Sequence, residues 1–182
     1  RHDAGLAAAK VNVFLRQLVE KSGGVATVGC IEFKPNAINV IPSKAVFTVD
    51  LRNPDKEKLD NDEKILAAYL KDLAKEDDVK ISTEHLTEFD PVPFDEGIVE
   101  KVEKAAKAHG LSVRRITSGA GQDAQMIARI CPTAMIFVPS VKGISHNPEE
   151  YTKDEDVLAG AGVFLDVVMD MAVVGVPAAR NN

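Results

Sequence analysis

The sequence FDPVP at residues 89–93 constrains the fold of this chain more than any other segment. Proline fixes its own φ angle and carries no backbone N–H, and it disfavours a helical conformation in the residue before it. Two prolines separated by one residue therefore exclude a continuous helix or a central strand at this point. We predict a linker here and two domains, residues 1–90 and residues 91–182.

The first half of the chain shows the hydrophobic periods of two helices and three strands. The predicted elements are a helix at 4–20, strands at 25–33 and 44–52, a helix at 56–75 and a strand at 79–88. In the second strand, one face is predicted to carry the apolar residues Ala45, Phe47, Val49 and Leu51. One strand ahead of Arg1 would complete a split β-α-β pattern, so we expect a ferredoxin-like α+β domain whose first strand is missing.

The second half alternates helix and strand, which is typical of a parallel α/β layer. The predicted elements are helices at 95–109, 122–130 and 154–174, and strands at 112–117 and 133–138. The strand at 133–138 is apolar throughout, so we expect it to be buried on both faces. Two strands are too few for a complete sheet. Because the chain also opens without Met, we expect it to be a processed or truncated piece of a longer protein.

Net charge and cysteine content indicate which partner and which cellular compartment to expect. The formal net charge is −6 and no Lys/Arg-rich run occurs, so we expect no nucleic-acid binding. The two cysteines, Cys30 and Cys131, have no metal-type spacing and fit a reducing compartment, which favours a cytoplasmic protein without disulfides. Cys30 is interpreted as a small core residue rather than a nucleophile.

The apolar stretch at 157–179 is interpreted as a core helix rather than a membrane span. Asp166 and Asp170 are four residues apart and would form one polar, solvent-facing stripe on a helix. Charges in the middle of a membrane span are also costly in lipid. We therefore expect no membrane partner. The residues predicted to face a core are Leu158, Val163, Leu165, Val168, Met169 and Val173.

His146 is the first candidate for chemistry, because its loop follows the carboxyl end of a predicted buried strand, where α/β proteins bind ligands. A neutral imidazole is a good ligand for zinc, manganese or nickel. The alternative is that His146 only caps the loop through hydrogen bonds. No second ligand stands at a motif spacing, so the co-ligands of a metal would have to come from outside this chain.

Two further loops could bind an anion. The small residues at 118–121 precede a predicted helix, whose backbone N–H groups could hold a carboxylate or oxyanion, although such residues are more often a simple tight turn. Asn39 and Arg52 together could clamp a carboxylate, since arginine offers a bidentate fork. The alternative is an Asx turn at Asn39 and an ion pair of Arg52 with Asp50 or Asp55.

Four segments, taken in chain order, resemble motifs of one family of metal-dependent amidohydrolases. They are Arg1-His2-Asp3-Ala4, PNAINVIPSKAVFTVDLR at 35–52, SGAGQD at 118–123 and FVPSVKGISHNPEEYT at 137–152. They are similar, respectively, to the opening of the family's lid helix, its asparagine loop and arginine strand, its Ser-Gly-Ala-Gly-His-Asp loop and its final histidine loop. The family comprises N-carbamoyl-L-amino-acid hydrolases and allantoate amidohydrolases, relatives of the aminoacylase and zinc aminopeptidase-like enzymes.

The resemblance implies an architecture and a set of site residues. Residues 1–90 would be most of a lid that also forms a homodimer, and residues 91–182 would be the C-terminal part of a catalytic α/β domain that holds two divalent metals (Zn, Mn, Co or Ni). His146 would be the last metal ligand. Substrate-binding residues would be Asn39 and Arg52 on the substrate carboxylate, with Gly119, Gly121 and Gln122 lining the pocket.

The resemblance also implies an activity, hydrolysis of a carbamoyl or ureido C–N bond by metal-activated water. Gln122 stands where the family usually has His, so a proton relay there would be lost. The family's other ligands and its catalytic glutamate would precede Arg1, so no catalytic residue lies in this chain and the chain alone is predicted to be inactive. Alternatives are a non-catalytic dimerisation and substrate-binding piece, or an aminoacylase or peptidase relative. N-carbamoyl-L-amino acids and allantoate remain equally open as substrates.

Overall fold

The computed structural model describes residues 2–174, with the side chains of residues 2–172. Its elements are α1 (Ala4–Ser22), β1 (Val25–Thr27), β2 (Ile31–Lys34), β3 (Lys44–Phe47), β4 (Asp50–Arg52), α2 (Lys56–Glu76), α3 (Glu96–Ala108), α4 (Asp123–Ile127), a 3-10 turn (Val141–Gly143) and α5 (Asp154–Val174). This mixture of helices and strands confirms the α/β class. The chain divides after Pro91 into two compact units, called here unit 1 and unit 2.

The helices of unit 1 begin and end where their capping residues stand. The Asp3 carboxylate accepts the Leu6 N–H at 3.0 Å and starts α1, and Gly23 ends it in the left-handed conformation at φ 80°. Asp55 starts α2 by accepting the backbone N–H groups of Glu57 and Lys58. Both helices therefore follow the sequence prediction and each extends it by one or two residues at its C-terminal end.

The two strands predicted at 25–33 and 44–52 each break into a pair of short strands. β1 pairs antiparallel with β4, and β2 pairs antiparallel with β3. Between the two ladders lie residues 28–30 on one side and residues 48–49 on the other, three residues opposite two. A β-bulge therefore interrupts the ladder, and a hydrogen bond from the Thr48 N–H to the Cys30 carbonyl at 3.2 Å crosses it.

The inward face of these strands packs on α1 and α2. The predicted alternation along 44–52 is confirmed, because its apolar residues are half-buried and the residues between them are exposed. The core of unit 1 consists of Ala7, Val11, Leu15 and Leu73, covered by the apolar side chains of the strands. Cys30 lies in the bulge and is exposed, so the prediction of a core cysteine is wrong.

The strand predicted at 79–88 is absent from the described structure. Val79 and Ile81 still alternate and pack against the core of unit 1. The segment forms no ladder with another described segment, and its Val79 N–H instead bonds to the Ala74 carbonyl at the end of α2. The apolar period gave the correct inward face, but a strand also needs a neighbour with which to exchange hydrogen bonds.

Unit 2 is organised around the packing of α3 on α5. Ile98, Ala106, Val163 and Val167 are buried. The predicted core of α5 is mostly wrong, since Val163 is buried whereas the other predicted residues with described side chains are exposed: Leu158, Leu165, Val168 and Met169. The side chain of the sixth, Val173, lies outside the described residues.

The acidic stripe of α5 explains the error in that prediction. Asp170 forms an ion pair with Lys101 of α3, and the Asp166 carboxylate lies 2.8 Å from the His109 Nε2. The stripe is therefore half-exposed and contacts Lys101 on α3 and His109 at the C-terminal end of α3. Because the charges point to the neighbouring helix, the opposite apolar face of α5 is exposed.

The strands predicted at 112–117 and 133–138 form no ladder in the described part of unit 2, and the expected parallel layer is not observed there. Phe137 and Val138 are exposed, so the expectation of burial on both faces is wrong. Val138 nevertheless lies against α5, because a Cβ added to Gly160 would come within 2.5 Å of its Cγ1 atom. None of the helices within residues 2–174 is long and apolar enough to cross a membrane.

Candidate functional site

Arg52 lies at the end of β4 on the open face of the ladder in unit 1. The strand β4 consists of Asp50, Leu51 and Arg52. The Leu51 side chain points inward, so the side chains of Asp50 and Arg52 share the outward face. A Cβ added to Gly24 would lie 2.6 Å from the Arg52 carbonyl oxygen, so only glycine permits this close approach of the neighbouring strand. After Arg52, the buried Asn53 side chain accepts the Asp55 N–H at 3.0 Å and turns the chain into α2.

The guanidinium of Arg52 is bound by Asp50. The Arg52 Nε–H donates to Oδ1 of Asp50 at 2.7 Å, and Nη2 donates to Oδ2 at 2.5 Å. These hydrogen bonds from Arg52 lower the pKa of the Asp50 carboxyl below its ordinary value, and the same contact raises the pKa of Arg52. The alternative prediction of an Arg52–Asp50 ion pair is therefore observed. This ion pair uses the Nε and Nη2 atoms of the guanidinium. The prediction that Arg52 and Asn39 clamp a carboxylate stays untested.

Asn39 lies in the loop between β2 and β3, on the turn closed by a hydrogen bond from the Val40 N–H to the Ala37 carbonyl at 3.4 Å. Its side chain is exposed. No hydrogen bond of that side chain is present among the described residues, so neither an Asx turn nor a contact with a ligand-binding partner is observed. Asn39 thus presents an amide on the surface of unit 1, and its binding role stays a prediction.

The loop at 118–122 in unit 2 is shaped by its own polar groups. The Ser118 hydroxyl donates to the Ala120 carbonyl at 3.2 Å and accepts the Ala120 N–H at 3.4 Å, which forms a tight turn. Gln122 is the N-cap of α4, and its N–H donates to the Gln125 Oε1 at 3.4 Å. Gly119, Gly121 and Gln122 are exposed. A helix of five residues is too short to make an anion site by itself, so the pocket role of this loop stays a prediction.

His146 stands in a loop whose geometry the following residues set. Its φ is 56°, and its backbone N–H donates to the Glu150 Oε2 at 2.8 Å. Asn147 closes the same loop by accepting the Glu149 N–H at 2.9 Å, and the Val141 N–H bonds to the Tyr151 carbonyl at 2.8 Å across the base. The imidazole is exposed and forms no hydrogen bond within residues 2–174. The loop-capping alternative therefore applies to Glu150 and not to the imidazole.

The donor side chains within residues 2–174 do not make a metal site by themselves. No three His, Cys, Asp or Glu side chains gather into a metal-binding group within the described residues. A catalytic zinc normally takes three protein ligands and a water. The exposed imidazole of His146 fits the role of one nitrogen ligand, and the remaining donors are not supplied by residues 2–174.

Two residues that contact candidate site residues were not themselves predicted as site residues. Asp50 holds the Arg52 guanidinium, and Glu150 holds the His146 backbone. The signal for Asp50 was its position two residues before Arg52 in a strand, which places both side chains on one face. The signal for Glu150 was weaker, since a carboxylate four residues after a left-handed residue has no fixed partner until the loop is folded.

Residues 4–170 match the profile of Peptidase family M20/M25/M40. The chain belongs to this family. Over 174 residues it is 40% identical to an N-carbamoyl-L-amino-acid amidohydrolase of Rhizobium meliloti, an alignment that covers 94% of this chain and 42% of the relative. It is 38% identical over 148 residues to an allantoate amidohydrolase of Escherichia coli, covering 81% of this chain and 36% of the relative.

A solved structure shows the same relationship. An amidase of the hydantoinase/carbamoylase family from Burkholderia multivorans superposes with a TM-score of 0.89 at 38% identity, covering 94% of this chain and 42% of that one. The resemblance to carbamoyl amino acid and allantoate hydrolases is therefore confirmed at the level of the family. The chain spans about two fifths of the length of the relatives it matches.

Proposed function

We propose that this chain is part of an amidohydrolase that cleaves the carbamoyl or ureido C–N bond of N-carbamoyl-L-amino acids or allantoate. The observation that carries the proposal is the 40% identity to an N-carbamoyl-L-amino-acid amidohydrolase across 94% of the chain. The identity to an allantoate amidohydrolase is close to this value, so it does not separate the two substrates. Both substrates carry a carboxylate and a ureido group.

Arg52 is the proposed anchor of the substrate carboxylate, assisted by Asn39. The support is its place on the open face of the ladder, where it is half-exposed and charged. Replacing it by lysine keeps the charge but removes the planar fork that matches a carboxylate. In an active preparation, Arg52→Lys is expected to raise KM for carboxylate substrates by about 10- to 100-fold, the loss of one charge-assisted hydrogen-bond pair.

His146 is proposed to give one ligand to a divalent metal (Zn, Mn, Co or Ni) in a site of two metals whose other donors come from polypeptide outside these 182 residues. Gly119, Gly121 and Gln122 are proposed to line the adjoining substrate pocket. Because one imidazole does not hold a catalytic metal, the 182-residue chain alone is expected to bind metal weakly and to hydrolyse neither substrate.

The test is turnover of both substrates by the purified chain, alone and mixed with a polypeptide that carries the region of the relatives that this chain does not match. We expect no turnover alone and metal-dependent turnover after mixing, lost in His146→Ala. Lys142→Ala in the same loop is the control and is expected to keep the activity. Turnover by the chain alone, or metal binding after mixing that is unchanged in His146→Ala, would contradict the proposal.

The second candidate is a non-catalytic piece that binds substrate and dimerises. Unit 1 offers an exposed apolar groove of about 340 Å³ on α1 and α2, lined by Leu6, Val13 and Phe14 among others, which favours association with another copy. Sedimentation of the chain is expected to show homodimers, and Val13→Glu is expected to give monomers. Dimers together with persistent inactivity after mixing would favour this candidate. Faster hydrolysis of an acyl amide than of a carbamoyl substrate would instead favour an aminoacylase-like or peptidase-like activity.

A further inference from the structure

The loop at 140–151 in unit 2 holds His146 in an uncommon backbone conformation. Its φ of 56° lies in the left-handed region, which few non-glycine residues adopt, although histidine does so more often than most. A left-handed residue directs its Cα–Cβ bond differently, relative to the chain on either side, from a residue with a negative φ. The direction of the His146 imidazole therefore depends on whether this conformation is kept.

The sequence after His146 brings a carboxylate back to it. Asn147 and Pro148 stand at the first and second positions of a four-residue turn, where these residue types are favoured. The Glu150 N–H closes the turn by donating to the Asn147 carbonyl at 2.9 Å. The Asn147 side chain adds an Asx turn by accepting the Glu149 N–H at 2.9 Å. This reversal of the chain lets the Glu150 carboxylate accept the His146 N–H at 2.8 Å.

The hydrogen bond from His146 to Glu150 is placed to hold the left-handed conformation. A rotation about the N–Cα bond of His146 would swing residues 147–150, and the carboxylate with them, away from the His146 N–H. The bond is charge-assisted, which makes it stronger than a bond between neutral groups. The imidazole itself is exposed and forms no hydrogen bond within residues 2–174, so no described contact of the ring sets its direction.

We propose that Glu150 is a positioning residue, which keeps His146 in the left-handed conformation so that its imidazole is presented as a ligand to a divalent metal. This inference rests on the proposed role of His146 as a metal ligand. It assigns Glu150 no contact with the metal. Uncommon backbone conformations of this kind persist only where the surrounding structure determines them, and at functional sites they hold a group in place.

Two other roles of Glu150 make different predictions. If its carboxylate were itself a metal donor, the loss of its charge alone would weaken metal binding. If it stabilised the loop as a whole, its removal would also release the base of the loop, where the Val141 N–H donates to the Tyr151 carbonyl at 2.8 Å. A positioning role predicts neither effect.

The first test uses the 182-residue chain without metal. The NOE between the N–H and Hα protons of His146 reports its φ, because these protons lie closer together at a left-handed φ. This NOE is expected to be strong in wild type and weak in Glu150→Ala. Exchange of the His146 N–H with water is expected to be about tenfold faster in Glu150→Ala, and exchange of the Val141 N–H is expected to be unchanged.

Glu149→Ala is the matched control for this test. It removes the neighbouring carboxylate of the same loop, whose side chain is exposed and forms no hydrogen bond or ion pair within residues 2–174. Its NOE and its exchange rates are expected to equal those of wild type. An equal NOE in wild type and Glu150→Ala would overturn the inference, as would a loss of Val141 protection together with that of His146.

The second test titrates zinc into the chain mixed with the complementing polypeptide. Glu150→Ala is expected to weaken zinc binding about tenfold, at the low end for residues that orient a metal ligand. Glu150→Gln keeps an oxygen acceptor without the charge and is expected to stay within about threefold of wild type. Equal losses in Glu150→Gln and Glu150→Ala would assign the carboxylate to the metal and overturn the inference.

The two proposals fail in different ways. If His146→Ala abolishes zinc binding but Glu150→Ala binds zinc as wild type does, the positioning role of Glu150 fails and the ligand role of His146 stands. If His146→Ala leaves zinc binding unchanged, the proposed function of His146 fails, whatever the NOE in Glu150→Ala.

Discussion

Unit 1 and unit 2 are similar in length but differ in how completely their own residues pair their strands and cover their apolar side chains. Unit 1 joins two helices to two antiparallel ladders around Leu15 and Leu73, each 1% exposed. Unit 2 packs α3 on α5 but leaves its two β-patterned segments without a described ladder and the outer face of α5 exposed. The comparison teaches that the described residues of unit 1 pair their own strands and cover their own core. The apolar pattern of unit 2 requires neighbours that the described residues do not supply.

The largest expected effect is the loss of a core leucine from unit 1. Leu73→Ala is expected to lower the free energy of unfolding by about 2–5 kcal/mol, because it removes a fully buried side chain and leaves a cavity. The matched control is Leu158→Ala on α5, where the leucine is 72% exposed and the expected change is below about 0.5 kcal/mol. Denaturant unfolding measures both. Similar losses in the two variants would show that α5 is covered in solution and would remove the contrast.

Amide hydrogen exchange tests the same contrast along the backbone. The N–H groups in the two ladders are expected to be protected, whereas those at 112–117 and 133–138 are expected to exchange within about tenfold of the rate for an unstructured peptide. Addition of the complementing polypeptide is expected to protect the second set without altering the first. Strong protection of 112–117 in the chain alone would mean that unit 2 completes its own sheet.

The sequence predicted those features of the fold that depend on neighbouring residues in the chain. The helix at 4–20 and the alternation along 44–52 both follow from local period and local capping. The bulge at 28–30 was not predictable, because it is a property of the pairing between two strands. The face of α5 was predicted wrongly because the contacts that Asp166 and Asp170 make depend on how α3 packs.

The candidate site also divides into features that neighbouring residues in the chain predict and features that depend on the folded structure. Asp50 and Arg52 were placed on one face by alternation, and their ion pair was foreseen as an alternative. The left-handed backbone of His146 and its hydrogen bond to Glu150 required the folded loop. The roles predicted for His146, Arg52 and Asn39 come from the family resemblance, because an exposed imidazole, guanidinium or amide does not by itself identify its ligand.

Removal of a helix cap is expected to lower the stability of either unit. The loss is expected to be larger where the cap accepts more hydrogen bonds. Asp55 accepts two backbone N–H groups at the start of α2, whereas Asp95 accepts one, from Ile98 at 3.0 Å, at the start of α3. Each alanine substitution is expected to cost about 0.5–2 kcal/mol, with Asp55→Ala the larger. Thermal unfolding followed by circular dichroism measures the loss. A larger effect for Asp95→Ala would indicate that α3 depends on its own cap more than on packing.

The smallest expected effect is a pH dependence of the α3–α5 contact. The ion pair with Lys101 lowers the pKa of the Asp170 carboxyl below its ordinary 3.8. Because the folded-state pKa is below the unfolded one, the stabilisation is complete above pH 3.8 and is lost as the pH falls through the lower folded value. Stability measured between pH 5 and about pH 2.5 should therefore fall less steeply in Asp170→Asn than in wild type.

Salt and a second variant sharpen this last prediction. Asp170 is half-exposed, so added salt is expected to reduce the difference between wild type and Asp170→Asn. Glu100→Gln also removes one exposed carboxylate from the α3–α5 pair, but Glu100 forms no ion pair within residues 2–174, so its pH profile is expected to follow wild type. If Asp170→Asn and wild type lose stability in parallel, the Lys101–Asp170 ion pair contributes nothing measurable to the stability of the α3–α5 contact.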